Sequence, residues 1–491
     1  MKGLILLLLL GLAALAAVMA VRALSVPAPA LPQTATVTAV SVNPSAGAER
    51  LGGAVRFPTI SSTSGGPVDT AAFLGFHEYL AQSFPLVHST LSRETVARLS
   101  LLYTWAGADS TLPPVVLMGH MDVVPVPEAN LADWTHPPFS GDLADGFVWG
   151  RGTLDDKTTV LAILEAIEAL IGEGYRPPRT VYLSFGHDEE VGGRYGARAI
   201  VSELVSRGVK PAMVLDEGGF LASGVIPGLP DRTAIIGIAE KGYVSLRLRA
   251  RAAGGHSSIP GSRTAVGALS RAIAKLEANP FPSRLDGPTR GMVEAMAPYS
   301  NFGTRMVLTN LWLTAPLVKR KLRGSPLGSA LLRTTTAPTM LSAGIKDNVL
   351  PPEASAVVNF RIRPGETVGS VTDRVRTIIS DSMIVIESID SNGVDPSPVS
   401  DIGSPAYRLV ESSIRGMAPG ETVPILPYLV MGGTDAKYWG AHSDRVFRFL
   451  AIPLAEGDQT RIHGVNERVA LTDYATSVGF FIRLLRGLDQ L

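Results

Sequence analysis

Acids and imidazoles recur in this sequence in short runs, three of them close behind an apolar segment. GHMDVVP places His120 and Asp122 one residue apart behind VVLM. Side chains two apart on an extended backbone face the same way, so one carboxylate can take an imidazole N–H while the other ring nitrogen binds a metal. Asp122 would then orient His120; the plain alternative is a solvated His–Asp loop pair. WGRGTLDDKTT sets Asp155 beside Asp156 between a Gly-rich turn and a helix. Adjacent carboxylates repel and call for a cation, although either acid could instead cap the helix. GHDEEVGG puts Glu189 and Glu190 behind VYLSFG. Hydrolysis at a two-metal site needs one carboxylate on a metal and a second, uncoordinated, to take a proton from a bridging water, and successive residues at a bend can do both. LDEGG adds Asp216, with Glu217 beside it, and IHG adds His463 far downstream. With no cysteine in the chain, imidazole and carboxylate are the donors left, which suits two zinc ions, or cobalt or manganese.

The elements that would position these residues alternate. VVLMG ending at Gly119, TTVLAILEAIEAL from Thr158, VYLSFG from Val181 and AMVL from Ala212 read as strand, helix, strand and strand, the pattern of an α/β sheet. Polar residues follow each strand, and in open α/β sheets ligands bind outside the carboxyl ends. Around Ile238 the texture changes to period-two strands, YVSLRLRA and ASAVVNFRIR, with helical TAVGALSRAIAKLEA between them. A small α+β insert over 238–364 is expected, dividing a catalytic domain into 48–237 and 365–491. Residues 279–336 are Pro-rich and irregular and receive no assignment. Arg361 closes ASAVVNFRIR, with Asn348 upstream in KDNVLPP. A guanidinium fork matches a carboxylate bidentately and an Asn amide adds a donor, so the two could clamp a substrate carboxylate; Arg363, on the same strand face, competes for the role.

The chain has 491 residues, 46% hydrophobic and 18% charged, a globular balance with room for two or three compact units. Lys plus Arg and Asp plus Glu are both 44, so no net positive field recruits nucleic acid. Residues 1–23 carry an uninterrupted apolar run from Gly3 to Val21, a signal peptide or membrane anchor. About 20 apolar residues span a bilayer, so length favours the anchor, while Val18-Met19-Ala20 leaves cleavage open. Either signal puts the catalytic part outside the cytosol, secreted or anchored. Residues 24–47, rich in Pro, Ala, Ser and Thr, read as a linker.

The ordered motifs HxDVVP, GRGxxDDK, DEExGG, DEGG, GGHSS and HGxNE resemble the M20 family of metallopeptidases and aminoacylases, from about Leu51 to the C-terminus. RTTTAPTMLSAGIKDNVLPPEASAVVNFRIRPG is most similar to the branch of vacuolar carboxypeptidases and secreted N-fatty-acyl-amino-acid synthase/hydrolases. The resemblance implies a zinc-peptidase-like catalytic domain with an inserted ferredoxin-like lid or dimerisation domain. It implies a hydrolase cutting an amide bond in N-acyl amino acids or short peptides with a free C-terminal carboxylate. His120 and Asp216 would complete one metal site, Glu190 and His463 the other, and Asp155 would bridge them. Asp216 is preferred to Glu217 because it directly ends the strand. Glu189 would be the general base and Asp122 the partner of His120. His256 in GGHSS would polarise the scissile carbonyl, and its place in the insert predicts a homodimer in which it reaches the partner's site. The family's Asp-x-Arg is Asn359-Phe360-Arg361 here, so no role transfers to the acid. Two rivals remain: an aminopeptidase on the same metals, and a non-catalytic zinc-binding membrane scaffold, against which Glu189 speaks.

Overall fold

The computed structural model describes residues 2–27, 29, 44–61, 68–224, 229–389 and 393–491. Val115–His120 and Val181–Gly186 are runs of apolar, largely β-branched or aromatic residues, buried along almost their whole length. They pair in parallel, with Val115 opposite Val181 and His120 opposite Gly186. Met213–Ser223 lies parallel on the other side of Val115–His120, and Val446–Leu454 lies parallel beyond it. These four strands are the centre of an eight-stranded sheet. Its order is Ser92–Val96, Ser100–Trp105, Val181–Gly186, Val115–His120, Met213–Ser223, Val446–Leu454, Arg232–Glu240, Ile425–Val430.

A parallel sheet must be covered on both faces. On one face lies Lys157–Gly172, a helix buried without a break from Lys157 to Ile167, held between the sheet and the helix Leu471–Arg486. On the other, Ala197–Ser206 and Trp439 cover Leu102, Val116, Met118 and Val214. The carboxyl ends of the central strands therefore open at one edge.

A second, four-stranded antiparallel sheet takes Gly242–Arg251, Thr335–Ala343, Glu353–Ile362 and Ile384–Ser388. Alternate residues of Glu353–Ile362 are buried, as its period-two pattern requires. With the helices Ala265–Ala278 and Val368–Ile379 the chain order is β-α-β-β-α-β, and the strands lie in the ferredoxin-like order 4-1-3-2. This unit begins at Gly242, because Arg232–Glu240 belongs to the large sheet, and it runs past residue 364 through the strand Ile384–Ser388. Pro364-Gly365 reads as an exit from the insert; it is instead a turn into a helix capped reciprocally by Thr367 and Ser370.

The irregular stretch is helical. Gly287–Ala295 packs on the sheet-edge strand Ile425–Val430 through Met292, Val293, Leu426 and Leu429, and Phe302–Thr309, Leu311–Leu322 and Pro326–Leu332 join the same apolar cluster through Leu308, Leu311, Val318 and Leu331. Their prolines mostly sit where a helix tolerates them, Pro288 and Pro326 in first turns. At the amino end, Lys2–Leu24 forms one apolar helix. Most of the expected linker lies outside the described residues; residues 44–47 open a helix, Pro44–Val55, whose Leu51, Ala54 and Val55 are buried.

Candidate metal centre

His120 ends its strand almost fully buried. Its Nε2 lies 2.8 Å from Asp155 Oδ1, and Asp155 Oδ2 lies 3.0 Å from His463 Nε2. His463 Nε2 is also 3.2 Å from Glu190 Oε2. Asp155 thus stands between two imidazoles drawn from opposite halves of the chain. One donor atom each of His120, Asp155 and Glu190 fall within 4.8 Å of one another, a grouping able to hold a metal ion. Burial opposes charge on His120, yet Asp122 and Asp155 raise its pKa well above the ordinary value. Asp155 is held low despite burial by His120 and His463, and the Asp155 and Glu190 contacts push His463 up to about 10.

The Asp122 carboxylate differs from the expectation. His120 Nδ1 lies 2.9 Å from the Asp122 backbone oxygen and 3.4 Å from its Oδ1, so the carbonyl takes the N–H and the carboxylate contributes charge. The two carboxylate oxygens accept the backbone N–H groups of Glu189 and Glu190, each at 3.1 Å. Asp122 therefore fixes both the imidazole and the acidic turn.

Asp156 occupies the helix N-cap without making a side-chain cap bond. Its Oδ2 is 3.4 Å from the His120 N–H, and its Oδ1 has no partner. The loop before it is held by a residue that sequence reasoning left without a role. Glu467 is fully buried; its Oε1 accepts from the backbone of Gly152, Leu154 and Asp155 at 2.9, 2.8 and 3.2 Å, and its Oε2 from Arg151 at 2.5 Å. The E of HGxNE was its only signal.

The DEGG segment brings both candidate acids up to the cluster. Asp216 Oδ2 accepts the Ala436 N–H at 2.7 Å, and its charge acts on Asp156 and Asp435 as well as on Arg448 and Glu240. Glu217 is pushed well above the carboxylate range by burial and then by the charges of Asp155, Asp156 and Glu189. Around it the strand leaves Val115–His120 after Leu215, keeps its parallel partner Val446–Leu454 across an irregularity, and gains Arg232–Glu240 antiparallel from Phe220. A side chain at Gly219 would lie 2.3 Å from the Ile235 carbonyl oxygen, so the crossing needs glycine. Burial also raises Glu189, with Asp435 and Glu190 adding to it against His120 and Lys437. Asp435, buried with neither oxygen hydrogen-bonded, is pushed up to about 8, first by burial.

His256, Asn348 and Arg361 lie in the ferredoxin-like unit, and none bonds to the cluster among the described residues. His256 is exposed on a two-residue ladder against Val349; its Nδ1 accepts the Ser258 N–H at 3.2 Å, which leaves Nε2 to carry the proton of the neutral ring. The exposed Asn348 accepts the Ser257 N–H through its carbonyl. The half-buried Arg361 stacks on Tyr243 with 4.9 Å from its guanidinium carbon to the ring centroid, whereas Arg363 is buried and paired with Asp286.

These residues fit a divalent metal. Glu190 Oε1 and Asp156 Oδ1 are buried without partners, and crowded acids beside two imidazoles are what a cation would neutralise. A profile of peptidase family M20/M25/M40 matches residues 116–487. The chain belongs to the M20 family. This M20 chain is 40% identical to a carboxypeptidase S-like protein of Dictyostelium discoideum, over 90% of this chain and 85% of that one. It is 40% identical to the N-fatty-acyl-amino acid synthase/hydrolase of Xenopus tropicalis, over the same shares. An M20 metallo-carboxypeptidase from Sulfolobus solfataricus has the same fold, with a TM-score of 0.66 at 16% identity over 91% of this chain and 99% of that one. The chain is accordingly a metal-dependent hydrolase of the peptidase class with a ferredoxin-like second domain.

Proposed function

We propose that this M20 enzyme hydrolyses the amide bond of N-acyl amino acids, fatty acyl groups included, and of short peptides with a free C-terminal carboxylate. Asp155 poised between His120 and His463, with Glu190 at the same point and the Glu189 carboxyl beside them outside their hydrogen bonds, carries this reading. His120, Asp155, Glu190, His463 and Asp216 would hold two zinc ions, with Glu217 beside Asp216 as the alternative ligand. Bound ions would supply Lewis acidity and an acidified water at neutral pH. Glu189 takes the proton of the attacking water and returns it to the leaving nitrogen. Asp122 keeps the Glu189–Glu190 turn in register, and His256 from a second copy donates Nε2–H to the carbonyl oxygen. Arg361, held by Tyr243, offers its fork to the substrate carboxylate; Asn348 lies beside His256, past the opposite end of the strand Glu353–Ile362, so the two do not form one clamp within a single copy. The helix Lys2–Leu24 anchors the chain or directs its export, leaving the catalytic part outside the cytosol.

The test is zinc-loaded protein incubated with N-acyl amino acids, dipeptides and their C-terminal amides. Free acids should be cleaved and amides spared. Cleavage of amides as fast as acids, provided a free amine is present, would establish an aminopeptidase instead.

A further inference from the structure

The helix Leu311–Leu322 turns two adjacent i, i+4 rows to solvent: Trp312, Pro316 and Arg320, and Leu313, Leu317 and Lys321. Leu311 and Val318, on the opposite side, are buried. The outward face is apolar in its first half and cationic in its second, and Lys319 and Arg323 extend the charge. Trp312 and Leu317 are each 57% exposed, and the neighbouring helices add the exposed Phe302 and Leu327. A soluble surface does not usually gather such a set, whereas an indole and leucines beside basic residues match the boundary between headgroups and acyl chains.

The place of this face in the molecule selects the occupant. The helix Lys2–Leu24 has 23 residues, with a mean hydropathy of 3.0 over its most apolar window, long enough to cross a bilayer. The body grips only its last turns: Ala23 is buried, and Asn310 Nδ2 donates to the Met19 carbonyl at 3.2 Å. Leu4 through Leu10 are all more than half exposed. Asn310 immediately precedes the helix Leu311–Leu322, so the mixed apolar and basic face begins where the apolar helix meets the body.

We infer that the outward face of Leu311–Leu322 docks on a bilayer surface carrying anionic headgroups and holds the catalytic body against that membrane. This rests on reading Lys2–Leu24 as an anchor. Trp312, Leu313 and Leu317 enter the interface, while Lys319, Arg320, Lys321 and Arg323 meet lipid phosphates.

Trp312 reports on this directly, because the four other tryptophans, Trp105, Trp134, Trp149 and Trp439, are buried. The full chain is placed in nanodiscs of phosphatidylcholine and phosphatidylglycerol with brominated acyl chains, and the emission removed by Trp312→Phe is followed. Most of that emission should be lost to quenching. It should return in the Lys319→Ser/Arg320→Ser/Lys321→Ser/Arg323→Ser variant, with retention in the discs unchanged. Retention with unquenched Trp312 overturns the docking. If the chain does not stay with the discs, the anchor reading fails, and quenching by added brominated anionic vesicles then decides: quenching upholds the docking, and its absence overturns it. Hydrolysis of a water-soluble N-acetyl amino acid should be the same in Trp312→Phe and wild type.

Discussion

On the proposed reading Glu189 is the base and its chain neighbour Glu190, which faces His463 on the turn that Asp122 holds, is a ligand. Glu189→Gln should therefore keep its metal content while kcat falls by ~10²–10⁴, the usual effect of removing a general base. Near-normal turnover in the metal-replete variant would end that assignment. Asp216 and Glu217 are told apart by metal content. Asp216→Ala should lose bound metal, measured by elemental analysis after dialysis, together with the hold on the Ala436 N–H, whereas Glu217→Ala should keep it. Metal loss from the Glu217 variant alone would make Glu217 the ligand instead. Away from the centre, burial lowers His77 to about 4 from 6.5, and its Nε2 has no partner. The unfolded chain binds the proton more readily, so this residue's contribution is complete above pH 6.5 and is lost as pH falls toward 4. Urea unfolding of His77→Gln should show a shallower loss of stability across that window than wild type.

The loop from Gly150 to Asp156 has no regular backbone pairing of its own, and Glu467 supplies its partners from the far end of the chain. Glu467→Gln should weaken metal affinity by about 10–100-fold, the cost typical of losing support behind a ligand. It should also destabilise the fold by about 3–5 kcal/mol, because the buried Arg151 keeps its charge without a counter-ion. Denaturant unfolding with and without zinc separates the two effects. Elements with a strict period were legible in the sequence: Val115–His120, Val181–Gly186 and Glu353–Ile362 are strands where alternating or fully apolar runs require them. The helices between Gly287 and Leu332 were not, because Pro288 and Pro326, which read as breakers, sit in first turns, Pro316 is accommodated inside its helix, and Leu311–Leu322 shows no clean apolar stripe. His120 and Glu190 were legible because each follows an apolar strand, and Asp155 because two adjacent acids follow a Gly-rich turn. Glu467 was not, since its role arises only from contacts more than 300 residues away in sequence, as its bond to Leu154 shows.

At the scale of the molecule, the candidate centre and His256 lie in different folding units, and among the described residues no side-chain hydrogen bond or ion pair links them. The ferredoxin-like sheet offers a route to a second copy. Thr335–Ala343 is its edge strand, with Met340 and Leu341 each 67% exposed, and an apolar edge of unpaired backbone groups invites pairing with another chain. A two-fold contact there would carry the exposed hairpin bearing His256 toward the partner's metal centre. In a mixture of His256→Ala and Glu189→Gln proteins, each heterodimer would hold one complete site, with Glu189 and the metals from one subunit and His256 from the other. Each variant alone should be nearly inactive, and subunit exchange should restore turnover in proportion to the heterodimer fraction measured by native mass spectrometry. A third variant, Leu341→Lys on the pairing edge, should shift the mass toward monomer and abolish this rescue. Heterodimers that form and remain inactive would place His256 outside the partner's reaction. Activity in a Leu341→Lys monomer equal to that of wild type would show that one copy is complete by itself.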